Sequence, residues 1–419
     1  MATTRAPRPD PSAEPPSAAE APVTRGAAAI VKVRRLFTAQ STDYMLVLGT
    51  AVFLLAVGLV MVLSSSFVQS GRGGDAFDIF VRQSLYAAVG IPIMLMMSRL
   101  PAEFWRQQAR TFVYAGLALQ MLVFVPGLSY EYGGNRNWIV IGGVSAQPSE
   151  FLKLALVVWL ASVLSSRADA FPTLKSVVLP ALPVSVVAIV LVLRGGDLGT
   201  ATIMIAIVFA CLFFAGAPLR YLVLLLALGV LGAIAFALTG TSRTDRIRIW
   251  LDGCTPEQLE GVCWQPTHGM WALGSGGLLG QGLGNSAVKW SWLPHSESDY
   301  IFAIIGEELG LVGCAVVIGL FAVLGIGLVR LMRAHTDPMR RIATGGVMVW
   351  IVGQAFVNIA VVLGMLPVLG VPLPLISAGG SAMVANLMAL GVVLSMARSS
   401  GGGGEGGAAG LARADGPAS

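Results

Sequence analysis

The chain has 419 residues, of which 55% are hydrophobic and 12% are charged, and its mean hydropathy is +0.78. Soluble domains carry about 25% charged residues, so this composition excludes an ordinary cytosolic enzyme. Only three His residues are present, which disfavours a metal centre built from His. The formal charge of +5 does not indicate nucleic acid, because most basic residues lie between long apolar runs. The sequence therefore predicts an integral membrane protein with no nucleic-acid partner.

Long apolar runs predict an all-α integral membrane protein with ten transmembrane helices. The hydrocarbon core of a bilayer is about 30 Å thick and needs about 20 apolar residues per helix. Most of the 27 Lys and Arg residues fall in loops that are cytoplasmic if the N-terminus is inside, which predicts an N-in, C-in topology. The predicted spans are 44–66, 79–98, 111–127, 149–165, 174–193, 200–217, 221–240, 300–331, 342–364 and 379–397.

Polar segments divide the chain into a membrane domain and two tails. Residues 1–40 are rich in Ala, Pro and Arg and contain no apolar run, which predicts a disordered cytoplasmic tail. Residues 399–419 open with a Gly-rich run and predict a flexible cytoplasmic tail. The membrane domain occupies 41–398, and its large extracytoplasmic loop, 241–299, joins the seventh and eighth predicted helices.

Two of the four Cys residues lie in this large loop. Cys254 and Cys263 are close in the sequence and on the predicted outer side, where an oxidising compartment permits a disulfide. Two free thiols are the alternative. Cys211 and Cys314 lie inside apolar spans, as small buried hydrophobic residues do.

Ionisable residues at the ends of predicted spans are functional candidates. Glu150 and Lys153 begin the fourth predicted helix and lie about 4.5 Å apart along its axis, on nearly the same face. They form an internal ion pair that makes burial tolerable, or Lys153 projects into a polar cavity. Both interpretations can hold together.

Three carboxylates mark the start of the eighth predicted helix. Asp299 lies at its outer end, as a functional group or as an ordinary helix cap. Glu307 and Glu308 lie about two turns deeper, too deep for capping, so we expect one of them to pair with a cation or a backbone group. The spacing of Gly306 and Gly310 predicts close helix packing.

The last predicted external turn runs over 372–381. Its two Pro residues break the helix, and Gly379 and Gly380, beside Ser377, let backbone amides approach a ligand. The Gly-rich run 280–284 follows no strand of a βαβ unit, which argues against a nucleotide loop. Together, the carboxylates and the outer cations predict an outward-facing cavity for an anionic, amphipathic substrate.

Six segments, in chain order, resemble the SEDS family (shape, elongation, division and sporulation). The runs 304–310 and 375–380 resemble the division branch more than the elongation branch. The chain departs from the family pattern at Gly195-Gly196, before Asp197, and at 296–298, before Asp299. The six segments are 135–139, 147–153, 197–200, 272–280, 299–310 and 374–380.

The resemblance implies a peptidoglycan glycosyltransferase that polymerises lipid II outside the cytoplasmic membrane and releases undecaprenyl pyrophosphate. It implies that Asp299 is the general base, since an alcohol nucleophile needs a positioned base at neutral pH. Arg136, Lys153 and Lys289 are candidates for binding the pyrophosphate or steering the substrate. Further candidates for substrate binding are Glu150, Ser377, Gly379 and Gly380. A divalent cation, Mg or Mn, could share the pyrophosphate charge, but no carboxylate cluster in the sequence identifies a site.

The implied partners are a class B penicillin-binding protein, an FtsI-like transpeptidase, and other divisome proteins at the septum. An elongation-type polymerase of the same family is one alternative. A flippase or transporter for lipid-linked precursors is another, because embedded charges are also what a transporter needs. A scaffold that only recruits the transpeptidase is the third.

Overall fold

A computed structural model describes residues 41–66, 77–132, 135–142, 144–166, 174–237, 241–255, 258–259, 261–287 and 297–398. The predicted tails, 1–40 and 399–419, and the candidate Lys289 lie outside the described residues.

The described part of the chain is a helical bundle that carries one small sheet. Val349–Gly353 forms a π-helical turn that joins Pro338–Met348 and Gln354–Val362 into one continuous helix. The elements are α1 (Thr42–Ser66), α2 (Asp78–Met97), α3 (Ala102–Met121), β1 (Ser129–Tyr132), β2 (Asn135–Ile141), β3 (Val144–Ala146), α4 (Pro148–Ser165), α5 (Leu174–Arg194), α6 (Leu198–Phe214), α7 (Leu219–Ala237), α8 (Thr241–Asp252), α9 (Trp264–Ser275), α10 (Ile301–Ala334), α11 (Pro338–Met348), α12 (Gln354–Val362) and α13 (Gly380–Arg398).

Among the described residues, six helices are long and apolar enough to cross a membrane: α1, α2, α4, α10, the joined α11–α12 and α13. The chain is therefore a helical membrane protein, and its ten spans and N-in topology stay predictions. The third helix begins at Ala102 and not at 111. The first half of this helix carries the charged residues Glu103, Arg106 and Arg110. That half contains no apolar run, so the predicted span did not include it.

The helices α4 and α13 lie at the centre of the bundle, and most of each is buried. The first packs against α3, α6 and α11, and the second packs mainly against α2, while α1 packs along α10. A helix that is apolar on nearly all sides is suited to the centre of a bundle, where other helices surround it.

The segment before α4 folds into an antiparallel sheet with the order β1-β2-β3. Tyr130 pairs with Trp138, and Ile139 pairs with Ala146 on the other side. The all-α prediction was incomplete here, because it assigned 128–150 only to a loop. Aromatic and β-branched residues favour strands, and they are frequent in this segment.

The predicted loop 241–299 contains two helices, α8 and α9, which the sequence analysis did not predict. Cys254 and Cys263 are joined by a disulfide between them, with their Cα atoms 6.0 Å apart. Cys211 and Cys314 are free and buried. The large loop is thus a compact helical segment in its described part.

The helix α10 is interrupted at Gly310, whose φ of 67° and ψ of −165° are not helical. Carbonyl oxygens on one side of the break accept from the turn after α9: Gln281 N–H donates to Glu307 O at 2.9 Å, and Gly282 N–H to Glu308 O at 3.0 Å. On the other side, Leu311 N–H donates to Gly277 O at 2.9 Å. The turn therefore completes the hydrogen bonds that the broken helix lacks.

The prediction of close helix packing is confirmed for Gly306, which lies against Leu273 on α9. It is wrong for Gly310, which faces the turn after α9 and not a helix. A Cβ on Gly276 would overlap the Gly306 carbonyl, and a Cβ on Gly310 would overlap the Gly280 amide. The run 280–284 accordingly follows α9 and serves as a structural turn.

Candidate active site

The functional candidates gather at one end of the bundle, where α2, α4, α6, α10 and α13 all begin. Hydrogen bonds connect these N-terminal ends. Gln147 N–H, just before α4, donates to Ser381 Oγ on α13 at 3.2 Å, and the Gln147 side chain donates to Asp197 Oδ2, before α6, at 2.9 Å. Gln83 on α2 donates to Ser377 O, before α13, at 2.9 Å. Since helix N-termini carry partial positive charge, this end favours an anionic ligand.

Asp299 lies directly before α10 at this end and is partly exposed. The N-cap residue of α10 is Tyr300, so Asp299 is not the ordinary cap that was considered as an alternative. Its backbone carbonyl accepts a hydrogen bond from Asn358 Nδ2 at 2.8 Å. The glycine at 370, which has a φ of 67°, lies close to its carboxylate. Asp299 is therefore held by its backbone while its side chain stays partly accessible.

A cation lies near this carboxylate. Burial raises the pKa of the Tyr300 phenol, the charge of Asp299 raises it further, and the charge of Arg246 opposes the rise. Arg246, on α8, also donates to Val368 O at 3.4 Å, in the turn that faces Asp299. This brings one of the outer cations to the Asp299 segment.

The Glu150–Lys153 ion pair that the sequence predicted is present, with 2.9 Å between Lys153 Nζ and Glu150 Oε1. Both side chains are buried, at 1% and 2% exposure. Lys153 Nζ also donates to Gln354 Oε1 at 3.1 Å and lies 4.9 Å from the ring centroid of Trp350. The ammonium is thus enclosed by protein groups and is not open to solvent.

Arg136 lies on β2, and the start of that strand is fixed to the turn before α6. Its backbone N–H donates to Gly195 O at 2.8 Å, and the Asn137 amide, in the orientation that satisfies its hydrogen bonds, donates to the same oxygen at 3.0 Å. The Arg136 side chain is exposed. An exposed guanidinium held on a strand at the site end is available to an anionic substrate.

Asp197 lies directly before α6 and is hydrogen-bonded to the segment that precedes α4. Its carboxylate accepts from Thr200 N–H at 2.8 Å, which caps α6, and from Gln147. Burial raises the pKa of its carboxyl; the bond from Thr200 opposes this, and the charges of Glu150 and Lys153 act in opposite directions. The sequence analysis placed Asp197 in a motif and gave it no role.

The turn before α13 binds to the Asp299 segment. The Ser377 hydroxyl accepts from Leu373 N–H at 2.8 Å and donates to Ser298 O at 2.5 Å, and Ala378 N–H donates to Glu297 O at 2.8 Å. Gly379 N–H donates to Gln83 Oε1 at 3.2 Å, and Gly380 begins α13 against the ring of Tyr86. The hydroxyl of Ser377 therefore ties two segments together.

Glu307 and Glu308 are fully buried, on the part of α10 before the break. The Glu307 carboxylate accepts from the Ser286 hydroxyl and, at 2.9 Å, from Ala287 N–H. Glu308 accepts from Ser64 Oγ on α1 at 2.6 Å. The expected pairing with a backbone group is confirmed for Glu307, and both residues have structural contacts.

Two buried polar side chains that contact the site were not predicted from the sequence, Gln354 and Asn358 on α12. Both are fully buried, and they contact Lys153 and the Asp299 backbone respectively. Polar residues inside an apolar span are functional candidates, so these amides could have been found by the reasoning that selected Lys153.

Comparison with known proteins identifies the family. A model described as cell cycle protein, for FtsW, RodA and SpoVE, matches residues 44–401. The probable peptidoglycan glycosyltransferase FtsW of Mycobacterium tuberculosis is 38% identical over 358 residues, which are 85% of this chain and 68% of that protein. Stage V sporulation protein E of Bacillus subtilis is 35% identical over 359 residues, 85% of this chain and 97% of that protein.

Two solved structures are similar to this chain in both fold and sequence. The rod shape determining protein RodA of Thermus thermophilus is 27% identical with a TM-score of 0.64, over 87% of this chain and 98% of that one. A chain from a study of polymerization and crosslinking by a peptidoglycan synthase complex is 28% identical with a TM-score of 0.70, over 87% of this chain and 99% of that one. The chain therefore belongs to the FtsW/RodA/SpoVE family of cell cycle proteins, which is the SEDS family.

Proposed function

We propose that the chain polymerises lipid II on the outer face of the cytoplasmic membrane during cell division. In this reaction the 4-hydroxyl of the acceptor N-acetylglucosamine attacks the anomeric carbon of the donor N-acetylmuramic acid. The bond from that carbon to undecaprenyl pyrophosphate breaks, and the α linkage inverts to a β-1,4 bond. The hydroxyl proton passes to a base, and undecaprenyl pyrophosphate departs as an anion.

The class of enzyme follows from the family. The FtsW relatives carry the name peptidoglycan glycosyltransferase, and they match most of this chain. The chain is accordingly a peptidoglycan glycosyltransferase in a multi-pass membrane domain. The lipid II substrate, the released pyrophosphate and the septal location are the finer parts of the proposal.

The observation that supports this mechanism best is the placement of Asp299. It is a partly exposed carboxylate at the end of the bundle where five helices begin, it lies close to Gly370 in the turn that Arg246 contacts, and its backbone is held by Asn358. A general base must reach the proton that it abstracts, to about 2.6–3.2 Å between heavy atoms, and a fixed backbone favours such a placement. Asp299 is therefore the proposed base.

The departing pyrophosphate needs fixed positive charge. We assign this role to Arg136, whose side chain is exposed, together with Arg246 and the helix N-termini at this end of the bundle. Lys153 is buried in its ion pair with Glu150, so its charge would act on the pyrophosphate without direct contact. Lys289 remains a candidate for steering, and Glu150, Ser377, Gly379 and Gly380 would shape the site behind the substrate. A divalent cation on the pyrophosphate stays an untested prediction.

The proposed partner is a class B penicillin-binding transpeptidase within the divisome. The structural neighbour from a peptidoglycan synthase complex supports this, because that complex is described as coordinating polymerization and crosslinking. A transpeptidase that acts on nascent strands would receive them directly from the polymerase.

The test is lipid II polymerisation by the purified full chain together with its cognate transpeptidase, read as a glycan ladder on a gel. Wild type is expected to give a ladder. Asp299→Asn is expected to give none, since the amide cannot accept the hydroxyl proton, while it still elutes as folded protein and still binds lipid II. The matched control, Asp252→Asn, removes an exposed carboxylate from the end of α8 and is expected to give a normal ladder.

Three outcomes would contradict the proposal. A normal ladder from folded Asp299→Asn would remove Asp299 from the mechanism. No ladder from wild type, together with lipid II crossing liposome bilayers, would support the transporter. Intact transpeptidase binding without any glycan synthesis would support the scaffold.

A further inference from the structure

We propose that Gln354 and Asn358 are positioning residues, whose side-chain amides hold the Asp299 segment and Lys153 on either side of one backbone turn. The inference rests on the proposed function, because it concerns the placement of the proposed base. Both amides donate to backbone carbonyl groups, so they would act through the backbone and not on substrate.

Asn358 connects the base segment to the turn. Its Nδ2 donates to the Asp299 carbonyl at 2.8 Å and to the Val371 carbonyl at 2.7 Å, and the residue is 2% exposed. The two hydrogens of one amide group thus join two chain segments that are far apart in sequence. Because the Asp299 backbone is held from α12, the direction of its carboxylate depends on this contact.

Gln354 connects the same turn to the ion pair. Its Nε2 donates to the Pro372 carbonyl at 3.0 Å, its Oε1 accepts from Lys153 Nζ at 3.1 Å, and it is fully buried. The two amides therefore hold consecutive carbonyl groups, at 371 and 372. Their spacing of four places them on one face of α12, so a single helix fixes both contacts.

The π-helical turn Val349–Gly353 lies directly before Gln354. Trp350, in that turn, places its ring 4.9 Å from Lys153 Nζ, on the same side as Gln354. Single π turns within helices are frequent at functional sites. Here the irregular turn occurs where the helix meets the buried cation.

A purely structural role is the competing explanation. Pro372 and Pro374 have no N–H group, so this turn cannot form regular backbone bonds, and buried carbonyls need donors. Under that explanation, loss of an amide lowers the amount of folded protein and leaves the turnover of each folded molecule unchanged. Under the positioning role, folded molecules bind substrate normally and turn over slowly, because a shift of about 1 Å can cost about 100-fold in rate.

The test compares Asn358→Leu and Gln354→Met with Gln120→Met in the full chain with its cognate transpeptidase. Gln120 is a fully buried amide on α3, so Gln120→Met is the matched amide-to-apolar exchange on a helix that does not carry the two proposed positioning residues. For both α12 variants we expect kcat per folded molecule to fall about 10- to 100-fold while KM for lipid II changes less than about threefold. Gln120→Met is expected to retain the wild-type kcat.

A second readout is independent of catalysis. Hydrogen exchange of backbone amides over 297–303, measured in nanodiscs by mass spectrometry, is expected to rise in Asn358→Leu and to stay unchanged in Gln120→Met. If wild type makes no glycan, the proposed function fails, and the exchange experiment still reports whether Asn358 orders the Asp299 segment.

Should Asn358→Leu not fold, Asn358→His serves instead, since its ring N–H can donate one of the two bonds, and an intermediate kcat is expected. Wild-type kcat in folded Asn358→Leu or Asn358→His would overturn the proposal. A loss of activity equal to the loss of folded protein would also overturn it. Unchanged hydrogen exchange of the backbone amides over 297–303 in Asn358→Leu would do the same.

Discussion

Lys153 shows how a single residue connects stability with the site. A charged group deep in a helix bundle is tolerated only when it is paired and hydrogen-bonded, and Glu150, Gln354 and Trp350 supply these contacts. The pair contributes little net stability relative to an apolar pair of similar size, because desolvation offsets the Coulomb attraction. Removal of one partner alone is costly.

We expect Lys153→Met to lower the free energy of unfolding by about 3–5 kcal/mol, because Glu150 is left buried without its cation. The double variant Glu150→Gln with Lys153→Met should recover most of that stability and still polymerise poorly. Thermal unfolding in detergent measures the first effect, and glycan synthesis the second.

The control is Arg82→Met, which breaks an exposed ion pair with Asp78 of similar length, 3.0 Å. It should change the melting temperature very little, since exposed pairs contribute little. Full polymerisation by the double variant would show that the buried pair has only a structural role.

At the scale of elements, the break in α10 is the feature with the largest structural consequence. The break at Gly310 divides the 34 residues of α10 into two helical parts, so they do not form one straight helix of about 51 Å. The turn after α9 supplies hydrogen bonds on both sides of Gly310. The large predicted loop is thereby attached to a membrane helix through backbone contacts.

This attachment requires glycine at position 276, and we expect Gly276→Ala to destabilise the protein by at least about 3 kcal/mol, the upper end of overpacking costs. The new methyl group would overlap the Gly306 carbonyl, where backbone would have to move. The matched control is Gly274→Ala, two residues earlier on α9, where a Cβ meets nothing within 4 Å. It should be neutral or slightly stabilising, since Ala favours helix over Gly.

Thermal unfolding and limited proteolysis between α9 and α10 measure this difference. Equal melting temperatures for the two variants would mean that the turn can move away from α10 at little cost.

At the scale of the whole molecule, the predicted topology places the site on the outer side. Ser145, on β3, is exposed near the site, and Thr336, between α10 and α11, is exposed after the end of α10. An impermeant maleimide should label Ser145→Cys in intact cells and should label Thr336→Cys only after permeabilisation. The four native Cys residues give little background, because two are disulfide-bonded and two are buried.

The reverse labelling pattern would contradict the N-in, C-in topology. The parent chain without an added Cys is the background control in both conditions.

The sequence by itself determined the class of protein, the approximate position of each long apolar helix and the family, because apolar runs and colinear motifs are local properties of the chain. It also predicted the Glu150–Lys153 pair, since spacing along one helix fixes which side chains are neighbours. The proposed role of Asp299 came from the resemblance to the family and stays a prediction.

Only the tertiary structure decided which segments meet at the site. Asn358 reaches Asp299, Gln354 reaches Lys153, and the turn after α9 completes α10 at Gly310. These contacts join residues far apart in the chain, and they depend on how the helices pack. Periodicity and motif spacing do not indicate which distant segments of the chain come into contact. Buried polar groups need hydrogen-bond partners, and this requirement favours the helix packing in which those partners meet.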